Sequence, residues 1–215
     1  SSPSRGLGDV YKRQVLTKYL IPDHCKLVAL GKPTEKESKK WFKRYEKYLP
    51  NTGEIVFFDR SWYTRALVEA TMGYCTKRQY TYFMKNVIPW EKKQIEEGVE
   101  FFKFYLSIEK NTQQKRIDKR ATSPLVYWKI SENDLKMLDK WDAFTLYKEQ
   151  MFKRTSYDEA PWIVLNANNK KVAILSALRF ILNAFDYPDK DLPKPKTWSE
   201  GCLLYTSDAA DDIPR

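Results

Sequence analysis

Four short apolar runs recur along the chain, each bounded by polar or turn-forming residues. They cover residues 25–30, 54–58, 101–108 and 162–165. Continuous apolar runs of this length are typical of strands that are covered on both faces of a parallel sheet. The longer segments between them carry apolar residues at helical spacing. The pattern therefore predicts an α/β fold: a doubly wound, mostly parallel sheet with helices on both faces.

Helix boundaries are marked by capping signals. Thr34 with Glu37, and Ser131 with Asp134, have the spacing of a capping box, so a helix is predicted to start at each. Proline favours the first turn of a helix, so Pro89 is predicted to start a new one. The predicted helices cover about 34–49, a segment from near residue 63, and then 77–86, 89–98, 110–120, 131–152 and 169–185. Residues 15–20 are predicted to end an earlier helix.

The two ends of the chain are expected to differ in origin from its middle. Residues 4–14 (SRGLGDVYKRQ) and 202–212 (CLLYTSDAADD) resemble in-frame translations of the adapters used in transposase-based DNA library preparation. An ordinary disordered tail at each end is the alternative. We expect residues 1–14 and 202–215 to be non-native. Residues 15–187 are then expected to form one domain, with a lid at about 113–141, followed by a tail at 188–201.

Charge and cysteine content narrow the functional classes. The chain has 38 Lys and Arg against 28 Asp and Glu, a net charge of +10, which indicates an anionic partner: nucleic acid, a membrane surface or a phosphate-rich substrate. Outside the end segments only Cys25 and Cys75 remain, and neither lies in a CxxC motif, which argues against a zinc site or a disulfide framework. A reducing, cytoplasmic location is expected. No apolar run reaches the roughly 18 residues of a membrane span.

The strongest candidate for chemistry is Asp59, which follows the apolar run 54–58. A carboxylate at this place has the arrangement of a Walker B motif, which binds Mg²⁺ through water or orients a nucleophile. Arg60 and Arg65 follow and are suited to phosphate contact. The alternative is a salt-bridged Asp that caps the next helix. Ligands of open parallel sheets lie beyond the carboxyl ends of the strands, so segments 31–34, 59–61 and 166–168 are expected at one edge.

Two further segments carry candidate phosphate contacts. In the first, Lys32 lies in the turn before the Thr34 helix, where a plain turn is an equally good interpretation. The second is the predicted lid, an irregular proline-containing loop with flanking helices that could close over a substrate and exclude water. A solvated helix face is its alternative. The lid candidates are Arg116, Lys119, Arg120 and Lys129.

Together these segments resemble the polyphosphate kinase 2 family, a branch of the P-loop kinases close in fold to thymidylate kinase. The resemblance extends through nearly all of residues 15–187. The matching motifs are GKPTE (31–35), GEIVFFDRSWYTR (53–65), MGYCT (72–76), QQKRIDKR (113–120), YWKIS (127–131), DKWDAF (139–144) and APWIVLNANNKK (160–171).

The resemblance implies Mg²⁺-dependent phosphoryl transfer between inorganic polyphosphate and a nucleotide, with ADP or GDP as the expected acceptor and AMP left open. Asp59 would be the Walker B carboxylate, with Arg60 and Arg65 binding phosphate. The lid cations would bind polyphosphate. Lys32, Ser61 and Thr64 would contact nucleotide or phosphate. A homo-oligomer is also expected.

Two departures from the family pattern affect these expectations. Thr64 stands where the family usually has Asn, so nucleotide contact is in doubt there. No GxxxxGK motif occurs in the chain, although the family's Walker A loop should precede Val15. We therefore expect the 215-residue chain to be catalytically inactive and its sheet to have a gap at the position of a first strand.

Two other functions remain open at this level. An ATP-dependent nucleoside or nucleoside-monophosphate kinase would share the fold and Asp59 without needing so basic a lid. A basic nucleic-acid-binding domain would instead present a Lys and Arg stripe with exposed aromatic residues. Here the aromatic residues fall mainly on apolar helix faces and strands, which disfavours nucleic acid.

Overall fold

A computed structural model of the chain describes residues 20–125, 127–188 and 190, the backbone of residues 203–205, and Lys129 without its side chain. Of the helix end predicted at 15–20, residues 15–19 lie outside the described residues, and Leu20 is not helical. The chain divides into two compact units. The first unit comprises Ser1–Val99 and Ser131–Met151, and the second comprises Glu100–Ile130 and Phe152–Arg215. The predicted lid is therefore shared between the two units.

The first unit contains a two-stranded parallel sheet. Strand β1, Cys25–Val28, pairs with β2, Ile55–Phe58, so that Cys25 lies opposite Ile55. Helices α1, Glu35–Lys39, and α2, Lys43–Glu46, connect the two strands. After β2 come α3, Val68–Met72, and the 20-residue α4, Lys77–Glu96. Helix α6, Glu132–Asp139, and most of α7, Trp141–Thr155, complete this unit.

The core of the first unit is aromatic. The Trp62 ring lies edge-on to Phe58 and to Trp90, at centroid distances of 5.5 and 4.9 Å. The Trp62 indole N–H donates to the buried carboxylate of Glu91 at 2.8 Å, which satisfies a polar group that would otherwise be costly to bury. The Trp62 side chain therefore packs the segment after β2 against α4, and its indole N–H has a hydrogen-bond acceptor there.

The second unit contains β3, Lys103–Ser107, and β4, Trp162–Asn166, which pair in parallel. Backbone residues of β5, Leu203–Tyr205, run antiparallel to β4. This strand falls within the segment predicted to be non-native; its pairing does not test where the segment comes from. Helix α5, Lys110–Ala121, follows β3, and α8, Lys170–Ala184, follows β4. The core consists of small and aliphatic side chains in and just after β4 and in α8, flanked by partly buried phenylalanines in or beside β3 and in α8. The members are Ile163, Leu165, Ala167, Ala173 and Ala177, with Phe102, Phe104 and Phe180.

The predicted capping boxes are confirmed, but several helix lengths differ from the prediction. Thr34 caps α1 and Ser131 caps α6, each with a reciprocal side-chain bond at the third helical position. The helix predicted at 34–49 is divided into α1 and α2, and that predicted at 131–152 into α6 and α7. The helix expected near residue 63 begins with a 3₁₀ turn, Trp62–Arg65, before α3.

Pro89 was predicted to start a helix, and this prediction is wrong, because Pro89 lies inside α4. Proline lacks the N–H that would bond to the carbonyl four residues earlier, so its presence normally ends or bends a helix. Buried residues on both sides, Val87 and Glu91, fix the helix against the core here. Tertiary packing has therefore overridden the local signal.

The predicted fold class is confirmed: parallel strand pairs alternate with helices. The described strands nevertheless form two sheets instead of one, because no ladder joins β2 to β3 among them. Each of these two strands keeps an edge without a paired strand within the described part of the chain. Among the described residues, no helix has the length and hydrophobicity of a membrane span.

Candidate functional site

Asp59 extends the β1–β2 ladder by one residue. Its backbone N–H donates to the carbonyl of Val28 at 2.8 Å, so the carboxylate is fixed at the carboxyl end of β2, as the sequence predicted. The residue is half-buried. Among the described residues no cluster of three or more His, Cys, Asp or Glu could hold a metal by itself. A Mg²⁺ ion bound through one or two carboxylates and substrate phosphates needs no such cluster, so Asp59 fits this mode of binding.

Arg60 adopts a left-handed backbone conformation, with φ of +67°. It is the one non-glycine residue with positive φ in the described part of the chain. A bulky residue in this region is strained by roughly 1–3 kcal/mol. Such strain persists only where neighbouring contacts impose it, and it is often found at functional sites. The exposed Arg60 side chain next to Asp59 is placed at the strand end where phosphate contact was predicted.

Ser61 and Thr64 shape the turn that follows. The Ser61 hydroxyl caps the 3₁₀ turn by accepting from the Tyr63 N–H at 3.4 Å. The Thr64 hydroxyl donates to the Ser61 carbonyl at 3.2 Å, and the Thr64 N–H donates to the same oxygen at 3.2 Å. Both hydroxyls thus stabilise the local backbone, and nucleotide contact by either remains a prediction.

Arg65 lies in the interior of the first unit, with 1% of its surface exposed. Its guanidinium stacks over the Trp41 ring at 4.0 Å and donates to the Ser38 hydroxyl at 3.0 Å. Its Nε lies 2.9 Å from the carboxylate of Glu69, one helical turn later. These contacts occupy the group that was predicted to bind phosphate. The i, i+4 spacing to Glu69 is the sequence signal that could have indicated an internal ion pair.

Burial alters the protonation of two groups beside Arg65. The pKa of Glu69 is raised because burial disfavours the carboxylate, although the charge of Arg65 opposes this. Burial also raises the pKa of the Cys75 thiol, whose Sγ lies 3.8 Å from the Arg65 carbonyl. A thiol with a raised pKa is a poor nucleophile at neutral pH, which makes Cys75 a weak candidate for covalent chemistry.

Lys32 is exposed in the loop between β1 and α1. The neighbouring Gly31 carbonyl accepts a hydrogen bond from Arg44 of α2. Trp41 and Tyr45 lie at helical spacing within the predicted helix 34–49, and this spacing indicates only an apolar helix face. The structure gives both a polar contact to the segment after Asp59: the Trp41 indole N–H donates to the Trp62 carbonyl at 3.0 Å, and the Tyr45 hydroxyl lies 3.3 Å from the Ser61 carbonyl.

The predicted lid cations of the second unit differ in exposure. Arg116 is half-buried, and its guanidinium donates to the carbonyls of Ala167 and Asn168 at 2.7 and 2.9 Å. Its pKa is lowered, first by burial and then by the nearby charge of Arg120. Arg120 donates to the Arg116 carbonyl at 3.1 Å, whereas Lys119 is exposed. The side chain of Lys129 lies outside the described residues.

The ends of β3 and β4 are joined by a polar network. Asn168 accepts from the Glu109 N–H at 3.1 Å and donates to the Glu109 carboxylate at 2.9 Å. Arg116 binds the same loop from α5. The structure therefore brings Arg116 to the carboxyl end of β4, and Asp59, Arg60 and Ser61 to the carboxyl end of β2. These two groups belong to different units.

A cavity of about 330 Å³ opens in the first unit, and Arg65 is the one predicted site residue that lines it. Its polar lining is largely satisfied internally, because the Ser38 hydroxyl accepts from both Arg65 and Gln79. The remaining lining residues are Lys39, Trp41, Arg78, Tyr82 and Phe83. The cavity therefore lies between helices, and the buried polar groups that line it form hydrogen bonds with one another.

Comparison with known proteins places this chain in a family. The profile of the family "Polyphosphate kinase 2 (PPK2)" matches residues 5–193. The chain is 42% identical to "Polyphosphate kinase PPK2B" of Corynebacterium glutamicum over 91% of this chain and 65% of that protein. It is 43% identical to "GDP-polyphosphate phosphotransferase" of Mycolicibacterium smegmatis over 86% of this chain and 65% of that protein. Other relatives are named ADP- or NDP-polyphosphate phosphotransferase.

The solved structures agree with this assignment. The crystal structure of polyphosphate kinase 2 from Arthrobacter aurescens TC1 matches with a TM-score of 0.77 and 28% identity, over 87% of this chain and 68% of that chain. The chain spans less than two thirds of the lengths of the curated relatives, 65% for PPK2B and 52% for a Pseudomonas aeruginosa GDP-polyphosphate phosphotransferase. A match over most of its own length is nevertheless sufficient, and the chain belongs to the polyphosphate kinase 2 family.

Proposed function

We propose that this domain transfers phosphoryl groups between inorganic polyphosphate and a nucleoside diphosphate. The observation that carries the proposal is Asp59, a carboxylate fixed at the carboxyl end of a parallel strand and followed by an exposed arginine in a strained turn. The names of the relatives supply the substrate classes: GDP-, ADP- and NDP-polyphosphate phosphotransferase. The net charge of +10 suits a long polyanionic donor.

The proposed reaction exchanges one phosphoanhydride bond for another. A terminal oxygen of the nucleoside diphosphate attacks the last phosphorus of polyphosphate, the bond to the next phosphate breaks, and the shortened polyphosphate leaves with the bonding electron pair. The products are a nucleoside triphosphate and polyphosphate shorter by one unit. Such transfer depends on positioning and on positive charge around the moving phosphoryl group more than on covalent help from the protein.

Each proposed residue has one task in this scheme. Asp59 would hold a Mg²⁺ ion, and such an ion would supply positive charge that neutralises the phosphates. Arg60 and Lys32, both exposed beside strand ends of the first unit, contact phosphate oxygens. Lys119, with Arg116 and Arg120 beside it, binds polyphosphate from α5. Lys129 is proposed to join them, and Arg65 to act from the interior by supporting the turn after Asp59.

The setting of the reaction is also proposed. ADP and GDP are the expected acceptors. The location is cytoplasmic, where these nucleotides and reduced thiols such as Cys25 and Cys75 are found. The functional protein is a homo-oligomer, which light scattering of the purified protein would test. Family membership favours this function over an ATP-dependent nucleoside kinase and over a nucleic-acid-binding domain.

Donor choice tests the proposal most simply. The chain is joined at Val15 to the Walker A segment of a relative, such as the Mycolicibacterium smegmatis protein, and phosphorylation of ADP and GDP is measured. We expect product with polyphosphate as donor and little with ATP offered to a nucleoside or nucleoside monophosphate. The opposite donor preference would support the nucleoside-kinase alternative. Salt-dependent DNA binding without any phosphoryl transfer would support the nucleic-acid alternative.

A further inference from the structure

Two consecutive carbonyls after Arg60 accept hydrogen bonds from one helical segment. The Trp41 indole N–H donates to the Trp62 carbonyl at 3.0 Å, and the Tyr45 hydroxyl to the Ser61 carbonyl at 3.3 Å. Both donor side chains are buried, at 5% and 2% exposure. Buried hydrogen bonds of this kind fix geometry more than they add net stability.

The same segment also holds the loop after β1. Arg44 lies between Trp41 and Tyr45 in the sequence and is also buried. It donates to the Gly31 carbonyl and lies 3.7 Å from the Glu37 carboxylate. Residues 41–45 therefore contact the backbone at the carboxyl ends of both strands of the first sheet. This arrangement links the Lys32 loop to the Asp59 turn through one short segment of the chain.

The turn being held is the strained one. Arg60 has φ of +67°, and a bulky residue keeps this conformation only if the chain on either side is fixed. On one side the Asp59 N–H is bound to β1 at 2.8 Å. On the other side, Trp41 and Tyr45 fix the two following carbonyls. The strain at Arg60 and the two side-chain donors are thus parts of one arrangement.

We propose that Trp41 and Tyr45 are positioning residues that hold the Arg60 turn, and with it Asp59 and Arg60, in the conformation used for phosphoryl transfer. The functional half of this inference rests on the proposed function. Ordinary core packing is the competing interpretation, because Tyr45 also lies edge-on to Trp62 at 5.7 Å. Substitutions that keep a ring and remove the donor separate the two interpretations.

The test uses the full 215-residue chain, labelled for NMR hydrogen exchange. The reporter is the Thr64 amide, which donates to the Ser61 carbonyl. Tyr45→Phe should accelerate its exchange by about three- to tenfold, as expected for the loss of one hydrogen bond. Tyr48→Phe is the matched control, because no hydrogen bond of the Tyr48 hydroxyl is found among the described residues and it lies just after α2. Equal acceleration in both variants would overturn the proposal.

Repeating the test in an Arg60→Gly variant distinguishes a positioning role of Tyr45 from a purely structural one. Glycine adopts positive φ without strain, so in Arg60→Gly the turn no longer needs to be held. Tyr45→Phe should then change Thr64 exchange by less than about twofold. Trp41→Phe should behave in the same way. If Tyr45→Phe accelerates exchange equally in the wild-type and Arg60→Gly backgrounds, the hydrogen bond is only structural and the proposal is wrong.

A spectroscopic readout links the turn to its proposed ligand. With Mn²⁺ and tripolyphosphate added, the wild-type chain should show line broadening at the amides of residues 59–61. Asp59→Asn should abolish this broadening, and Tyr45→Phe should weaken it several-fold while Tyr48→Phe does not. Undiminished broadening in Tyr45→Phe would contradict the claim that Tyr45 holds Asp59 and Arg60 in the conformation used for phosphoryl transfer. No broadening in any variant would contradict the assignment of Asp59 as the metal-binding carboxylate, while the exchange result would still decide whether the turn is held.

Discussion

At the residue scale, Asp59 and Arg65 differ in their surroundings, and this difference bears on the roles proposed for them. Asp59 is half-buried at a strand end, whereas Arg65 is enclosed by Trp41, Ser38 and Glu69. Both residues stand in the same motif, DRSWYTR, which carries most of the candidate chemistry of the first unit. On the proposed function, this motif contains both a residue that contacts the ligand and a residue that supports the turn.

Removal of the Arg65 charge should destabilise the fold. Arg65→Met keeps much of the volume but leaves the buried Glu69 carboxylate without its ion-pair partner, which typically costs about 3–5 kcal/mol. Urea unfolding of the variant measures this loss. The double variant Arg65→Met, Glu69→Leu is the control and should recover most of the stability. A loss below about 1 kcal/mol in Arg65→Met would mean that the pair is effectively solvated.

The pH dependence of Arg65→Met follows from the raised pKa of Glu69. Its ordinary value is 4.5, and burial raises it in the folded chain. The folded state then binds the proton more tightly, so stability from this group is fully present below the unfolded value and is lost as pH rises through the folded one. Without Arg65 the folded pKa should rise further. The deficit relative to wild type should therefore shrink from pH 7 towards pH 5; a deficit that grows on acidification would contradict this.

Sequence reasoning placed Asp59 at a strand end correctly, because a carboxylate directly after a continuous apolar run marks the end of a buried parallel strand. It could not place Arg65, because a cation four residues before Glu69 is compatible with both a ligand contact and an internal pair. Nor could it find the hydrogen bonds of Trp41 and Tyr45. Their periodicity reports burial, and the acceptor carbonyls are about 20 residues away in sequence.

At the element scale, helix starts were predictable and helix continuity was not. Thr34 and Ser131 form the expected capping boxes, since the signal is local and lies within four residues. Pro89 was expected to begin a helix and instead lies within α4. The packing of Val87 and Glu91 that overrides it involves residues distant in sequence, which a local pattern does not contain.

The cap of α6 provides a test at this scale. The Ser131 hydroxyl accepts from the Asp134 N–H at 3.2 Å, so Ser131→Ala should cost about 1 kcal/mol and Ser131→Gly only a few tenths. Thermal unfolding of the two variants measures the difference. Ser123→Ala, which lies outside any helix, is the control and should have little effect. If Ser131→Ala were as stable as Ser123→Ala, α6 would not depend on its cap.

At the scale of the whole molecule, the predicted α/β architecture is confirmed, while a single continuous sheet is not formed by the described strands. Asp59 directly follows β2, and the basic helix α5 follows β3. Within the described residues, each of these two strands pairs with one strand only. Together with the absence of a GxxxxGK motif, this leads us to expect no polyphosphate-driven ATP synthesis by the 215-residue chain alone.

We expect polyphosphate to bind to the positive charges of α5 and not simply to the total positive charge of the chain. Lys119→Ala with Arg120→Ala removes two charges from α5, and Lys92→Ala with Lys93→Ala removes two from α4 as a matched control. Binding of polyphosphate is measured over a range of salt concentrations. The α5 pair should lower the slope of log affinity against log salt by about 2, as expected when two phosphate contacts are lost. An equal change from the α4 pair would show that only total charge matters.

The central claim is that Asp59 supports phosphoryl transfer from polyphosphate, and one rate measures it directly. In the chain joined at Val15 to a Walker A segment, ATP formation from polyphosphate and ADP is compared for wild type, Asp59→Asn and the exposed control Asp142→Asn. We predict a loss of at least about a hundredfold for Asp59→Asn and near wild-type rates for Asp142→Asn. Full activity of Asp59→Asn, with folding intact, would contradict the account.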